Sequence, residues 1–173
     1  DTPIKSLGRS VDFFGDRIGD GRNVTRFDIN YMDDSDRPMG FDERVTDMIM
    51  YKTPKLAESV VVALQYMPEE GKDSYMSLFS GSAVYDKNAF MVGVGYEMHD
   101  KGYFGYTGAE GDETDSSNIF HAVAGYTAEK FAVKGLFQTV SNIGGDKDIS
   151  GTAYGLGASF MATPAFELKG QYY

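Results

Sequence analysis

Cysteine and tryptophan are both missing from the 173 residues. Without cysteine there is no disulfide framework, no thiolate metal site and no cysteine nucleophile. Histidine occurs only as His99 and His121. A metal centre would need the two side by side with a third ligand, so both read as ordinary wall residues. Positive charge is scarce: 16 Lys and Arg stand against 26 Asp and Glu, a formal net charge of -10. That argues against a nucleic-acid partner, because phosphate binding needs clustered bases. No apolar run approaches the roughly 18 residues of a membrane-spanning helix; the longest is Val60 to Leu64. If this chain crosses a membrane, it does so as a β-barrel, the other structure that satisfies its own backbone in lipid. No signal peptide is visible at Asp1, so the chain is expected to be mature, processed or incomplete.

Glycine (21), tyrosine (12) and phenylalanine (12) are abundant. The clearest pattern is SGTAYGLGASFMATPAFELKGQYY, from Ser150 to Tyr173. Thr152, Tyr154, Leu156, Ala158 and Phe160 alternate with small residues. After the turn Ala162-Thr163-Pro164-Ala165, Phe166, Leu168, Gly170 and Tyr172 alternate with Glu167, Lys169, Gln171 and Tyr173. Period-two alternation is the strand signal. One face is apolar and uncharged, while the other is small, polar or ionised. A packed core does not look like that second face.

Six more strands are expected, at about 44–53, 59–67, 74–85, 89–99, 119–127 and 131–140. The connections 54–58, 86–88, 128–130 and 162–165 are short. The alternate ones, 68–73, 100–118 and 141–149, are longer and acidic. Outer-membrane barrels have this asymmetry, with short periplasmic turns and long external loops. Aromatics near strand ends on the apolar face, such as Tyr66, Tyr85, Tyr96, Phe120, Tyr126, Phe131 and Phe160, suit an interfacial girdle. A water-soluble sandwich alternates too, but turns its apolar face inward. Residues 1–43 lack alternation. Ser10 could cap a short helix there, with Val11, Phe14 and Ile18 on one side.

The chain resembles the general porins of Gram-negative outer membranes over essentially its whole length. DTPIKSLGRSVDFFGDRIGDGRN is similar to the end of the family's fifth strand running into the third loop, which folds into the pore. FDERVTDMIMYKTPKLAE resembles the sixth strand and its turn, and the strand endings in GVGYE and AGYTAEKF are typical. The resemblance implies an all-β antiparallel transmembrane barrel: about eight strands are visible of a probable sixteen, with an inserted constriction loop. It implies a homotrimeric, water-filled channel in the cell outer membrane, crossing it many times among lipid and lipopolysaccharide. Small hydrophilic solutes and ions would diffuse through passively. The family's first five strands and last three are missing, so the chain is expected to be an internal portion of a polypeptide roughly twice as long, since a water-filled porin lumen takes about sixteen strands.

On this reading residues 1–43 are the constriction segment and 44–173 the eight-stranded wall. Charge placement, not a catalytic constellation, sets selectivity in a pore. The constriction candidates are Asp12, Asp16, Arg17, Asp20 and Arg22. The lumen candidates on strands are Arg44, Lys52, Glu97, Lys134, Glu167 and Lys169. Loop acids and arginines also pair with one another to hold a loop. No cofactor, resident metal or enzymatic activity is expected. The acidic runs Glu110 to Asp115 and Asp146 to Asp148 match no calcium loop. Gly93-x-Gly95 and Gly155-x-Gly157 lie inside strands and open no helix, so they are not nucleotide loops. The alternative is a non-transporting β-protein, a surface adhesin or a soluble binding module. On the lumen face, Gly155→Ser is expected to be tolerated.

Overall fold

The alternating segments form one antiparallel sheet of eight strands, each paired with its neighbours in sequence. The computed structural model describes residues 1–15, 19–25, 47–68, 77–100, 115–143, 147–148 and 150–173. The strands are β1 (Ile49–Lys52), β2 (Val60–Met67), β3 (Leu78–Lys87), β4 (Phe90–His99), β5 (Ser117–Thr127), β6 (Phe131–Ser141), β7 (Ser150–Thr163) and β8 (Phe166–Tyr172). Successive strands run in opposite directions, so the short connections fall at one end and the long ones at the other. β4 to β6 have 10 to 11 residues. At about 3.3 Å per residue and a tilt near 40°, such strands project about 25 Å, the height of an outer-membrane apolar band.

The third strand lies later than expected, at 78–87 rather than 74–85. Asp86 and Lys87 look like turn residues, yet they pair with Met91 and Phe90 at an exposed strand end. Asn88 takes φ +58° in the tight turn, a conformation that asparagine tolerates. Tyr75 lies outside the described residues, as do 44–46 of the first expected strand. β7 runs on to Thr163 through an irregularity between Met161 and Thr163, so its turn is shorter than expected.

The two faces of the sheet are inverted relative to a water-soluble protein. Leu156, Val92, Val94, Phe137 and Leu168 are exposed, and Tyr154 is 64% exposed. Gln65, Ser80, Glu97, His121 and Gln138, all on the other face, are buried. Phe90 and Tyr126 meet edge to face at 4.9 Å, and Tyr126 lies 5.7 Å from Phe131, forming an aromatic row beside the short turns. Among the described residues no helix is long and apolar enough to cross a membrane.

The polar face is covered by the start of the chain. Helix α1 (Pro3–Arg9) begins at Thr2, whose hydroxyl accepts from the Lys5 N–H at 3.3 Å. That satisfies one of the donors left free at a helix start, and Pro3 has no N–H to satisfy. The expected helix from Ser10 is therefore misplaced. Ser10 ends α1, and its hydroxyl donates to the Leu7 carbonyl at 2.6 Å. The expectation that the stretch from Asp1 opens on the end of a strand is corrected with it, since Pro3–Arg9 is helical; Ile18 lies outside the described residues. A single turn, α2 (Arg22–Thr25), follows. So short a helix is not stable alone; packing holds α1. Leu7 and Val11 cluster with Val123 and Leu136, and Ile4 with Ile119, Val140 and Ile143. Gly93 makes room for it: a Cβ there would lie 2.5 Å from Leu7 Cδ1.

Candidate pore constriction

Alternation along the strands brings a row of polar side chains to the inner face. Gln65 pairs with Ser80, and Ser80 with Glu97. Nearby, His121 pairs with Gly95 and Gln138, and Gly157 with Gln171. Residues 1–25 are stitched to that row. The Ile4 N–H donates to Ser80 Oγ at 3.4 Å. His121 sits between the Ile4 carbonyl, at 3.4 Å, and the Gln138 side-chain oxygen, which it contacts closely. Gln138 Nε2 donates to the Thr25 carbonyl at 2.6 Å. Lys134 Nζ donates to the Ser10 carbonyl at 2.9 Å. These bonds hold backbone groups of a short helix and a turn, using side chains 76 to 124 positions away.

The expected site residues separate into distinct environments. Asp12 is an organiser of the inserted loop. Its Oδ1 accepts from the Phe14 N–H at 2.8 Å and from Gln171 Nε2 at 2.9 Å, and its Oδ2 accepts from the Gly21 N–H at 3.2 Å. Asp20 is buried beside it in the same segment. Asp16, Arg17 and Arg44 lie outside the described residues, and Arg22 is described only in its backbone. Lys52 is on the inner face, where Lys52, Lys55, Asp86, Ser6, Ser10 and Ser82 line part of a cavity of about 320 Å³ between α1 and strands β1 to β3. Glu97 is 1% exposed, and its Oε1 lies 2.8 Å from His99 Nε2. Lys134 is tied to the loop, and Lys169 pairs with Glu167 at 3.1 Å.

Charges on α1 itself are absent from the expected set. Asp1 lies 3.5 Å from Lys5 Nζ and 3.7 Å from Arg9. The Thr2-Pro3 start followed by Lys5 and Arg9 at helical spacing is the signal that would have found them. Gln171 and Tyr173 were recognisable only as inner-face residues; their contacts with the loop depend on the fold.

Gly155 requires a correction. A Cβ at this position would lie 2.4 Å from Tyr173 Cε1, a distance at which something must shift. Gly155→Ser on the inner face would therefore have to displace the ring of Tyr173, which occupies that space.

The arrangement is a polar face with a helix and loop pinned across it and ionic groups of both signs along the gap. Neither the curated proteins nor the solved structures supply a match. A family model described as Gram-negative porin matches residues 1–173, and with a sheet that is apolar outside and polar inside, this chain belongs to the Gram-negative porin family, a family of outer-membrane channels.

Proposed function

We propose that this chain supplies wall strands and the inserted constriction of a water-filled outer-membrane channel for small hydrophilic solutes and ions. One observation carries the reading: the apolar face of the sheet is uncovered, while its polar face lies against residues 1–15 and 19–25. A soluble binding module would hide Tyr154, Leu156 and Tyr172 from water, since large exposed apolar surfaces mark interfaces or lipid contact. In lipid those side chains are in their preferred surroundings, and the polar row faces the aqueous lumen. The same surface speaks against the adhesin alternative.

On this reading 1–43 is the constriction segment and 44–173 the wall. Asp12, Asp16, Arg17, Asp20 and Arg22 set the charge of the constriction, and Arg44, Lys52, Glu97, Lys134, Glu167 and Lys169 that of the lumen. Asp12 and Lys134 act mainly by holding the loop. Further strands pair along β1 and β8, because unpaired strand edges do not persist in hydrocarbon. About sixteen strands leave an aqueous lumen, and three such barrels form a homotrimer. With 26 acids against 16 bases, the field favours cations mildly, an effect that salt screens over about 10 Å at 0.1 M.

The test is reconstitution of the full-length protein in planar bilayers. Ohmic single-channel steps and a reversal potential of cation-selective sign in a KCl gradient are expected. Absence of conductance from correctly folded protein would refute the channel, and anion selectivity would refute the charge assignment.

A further inference from the structure

The loop from Ser10 to Gly21 is held against β6, β7 and β8 by side chains that have no part in the sheet's own pairing. Gln171 uses both ends of its amide. Its Oε1 accepts from the Phe13 N–H at 3.0 Å, while its Nε2 donates to Asp12 Oδ1 at 2.9 Å and to the Gly19 carbonyl at 2.5 Å. This pattern fixes the orientation of the amide, because the reverse would set two donors against each other at Phe13. A single side chain therefore grips the loop on both limbs, at 12–13 and at 19.

The packing is as selective as the hydrogen bonding. Tyr173 is wedged between two glycines: a Cβ at Gly21 would lie 2.1 Å from the phenol oxygen and one at Gly155 2.4 Å from the ring, so either would push the ring from its place. Phe13 occupies a second slot, over Gly157, where a Cβ would be 2.6 Å from its ring. Lys134 Nζ sits 5.2 Å from the Phe13 ring centroid while it donates to the Ser10 carbonyl. Two aromatic rings thus lie over two glycines of β7, spaced one strand period apart. A loop that merely leaned on the wall would need neither the slots nor the shared amide.

We infer that Gln171 and Tyr173 are positioning residues, forming a seat on the wall that sets where the inserted loop lies and hence the width and ion preference of the constriction. The inference rests on the channel reading above. The seat acts through the loop, since Gln171 orients Asp12 and Tyr173 fills the gap beside Gly21. Without it the loop keeps its α1 anchor, Leu7 and Ile4, but loses its grip on β7 and β8. The outer face and the strand pairing are untouched, so assembly is preserved while the pore changes.

The test compares the full-length parent with Gln171→Ala, Tyr173→Ala, Tyr173→Phe and the pair Gly155→Ala and Gly155→Ala/Tyr173→Ala. Each is assayed for folding yield, then for single-channel conductance, closing frequency and reversal potential. Gln171→Ala and Tyr173→Ala should fold at parental yield, close several-fold more often and shift the reversal potential. Tyr173→Phe keeps the wedge and should behave as the parent. Gly155→Ala should disturb the channel, and removal of the Tyr173 ring in the same chain should lessen that disturbance. If Gly155→Ala fails to fold, the variants that only delete atoms still decide. A conducting parent whose Gln171→Ala and Tyr173→Ala variants match it in conductance, closing and reversal potential would overturn the seat alone. A folded parent that conducts nothing would overturn the channel reading and the seat with it.

Discussion

The two faces of one sheet obey opposite rules. On the outer face, Val92, Val94, Leu156 and Leu168 are exposed, and Phe90, Tyr126 and Phe131 form a row at the short-turn end. On the inner face Gln65, Ser80, Glu97 and Gln138 are almost fully buried. The same strands build both, because successive residues point to opposite sides. The outer face needs only to be apolar, since lipid imposes no specific packing partner. The inner face favours particular partners, as Ser80, His121 and Gln138 find them, since a buried polar group costs free energy unless it is bonded. The first is therefore tolerant of exchange among apolar residues, and the second is sensitive to single atoms.

The largest expected effect falls on the outer face. Leu156 lies mid-strand and is 63% exposed, so Leu156→Arg places a charge in the hydrocarbon, at about 2–4 kcal/mol near the midplane. The folding yield into lipid vesicles should collapse, whereas Lys169→Gln on the inner face should fold normally. Equal yields for the two would reverse the assignment of faces.

A comparable loss, but one confined to the inner face and not fatal to the barrel, is expected of Leu7→Ala. Leu7 is 2% exposed and packs with Val11, Val123 and Leu136. Truncating a buried leucine costs about 2–5 kcal/mol. Here the loss should release the inserted segment and leave the strands paired. Limited proteolysis should cut within the first residues of the segment while the heat-dependent gel mobility of the barrel stays parental. Unfolding of the whole barrel would show that segment and wall are one cooperative unit.

The smallest effect concerns the start of α1. Thr2→Ala removes the hydroxyl that accepts from Lys5 N–H, a cap worth about 1 kcal/mol. Hydrogen exchange should quicken in the first turn of α1 and nowhere in β3 to β6. Thr2→Ser keeps the oxygen and should restore protection; if it does not, the cap is not what holds the turn.

Strand existence and facing were readable in advance for simple reasons. Phe90, Val92, Val94 and Tyr96 alternate with small or polar residues, and parity alone carries them to one side. Boundaries are set by more than alternation. Asp86 and Lys87 read as a turn in the sequence, yet an exposed strand end accommodates them. Apolar spacing points to a helix from Ser10. The stronger signal was a polar cap followed by proline at Thr2-Pro3.

Gly155 marks the limit of that kind of reading. Alternation correctly places it on the inner face, where small residues look interchangeable. Only the fold brings Tyr173 onto it, so that even a methyl group would have to move the ring.

What the sequence determined by itself was the alternation of Ser150 to Tyr173 and its counterparts, hence the strands, their two faces and the surplus of acid over base. These properties are local or summed, and each residue contributes without knowing its distant neighbours. Only the tertiary structure decided that α1 lies on β2 to β5, that Gln171 grips Asp12, Phe13 and Gly19, and that Tyr173 fills the space between Gly21 and Gly155. Gln171 and Asp12 are 159 positions apart. No period along the chain encodes such a contact. It exists because seven strand pairings bring β6, β7 and β8 together beside the segment, and because Gly21, Gly155 and Gly157 leave space in which the rings settle.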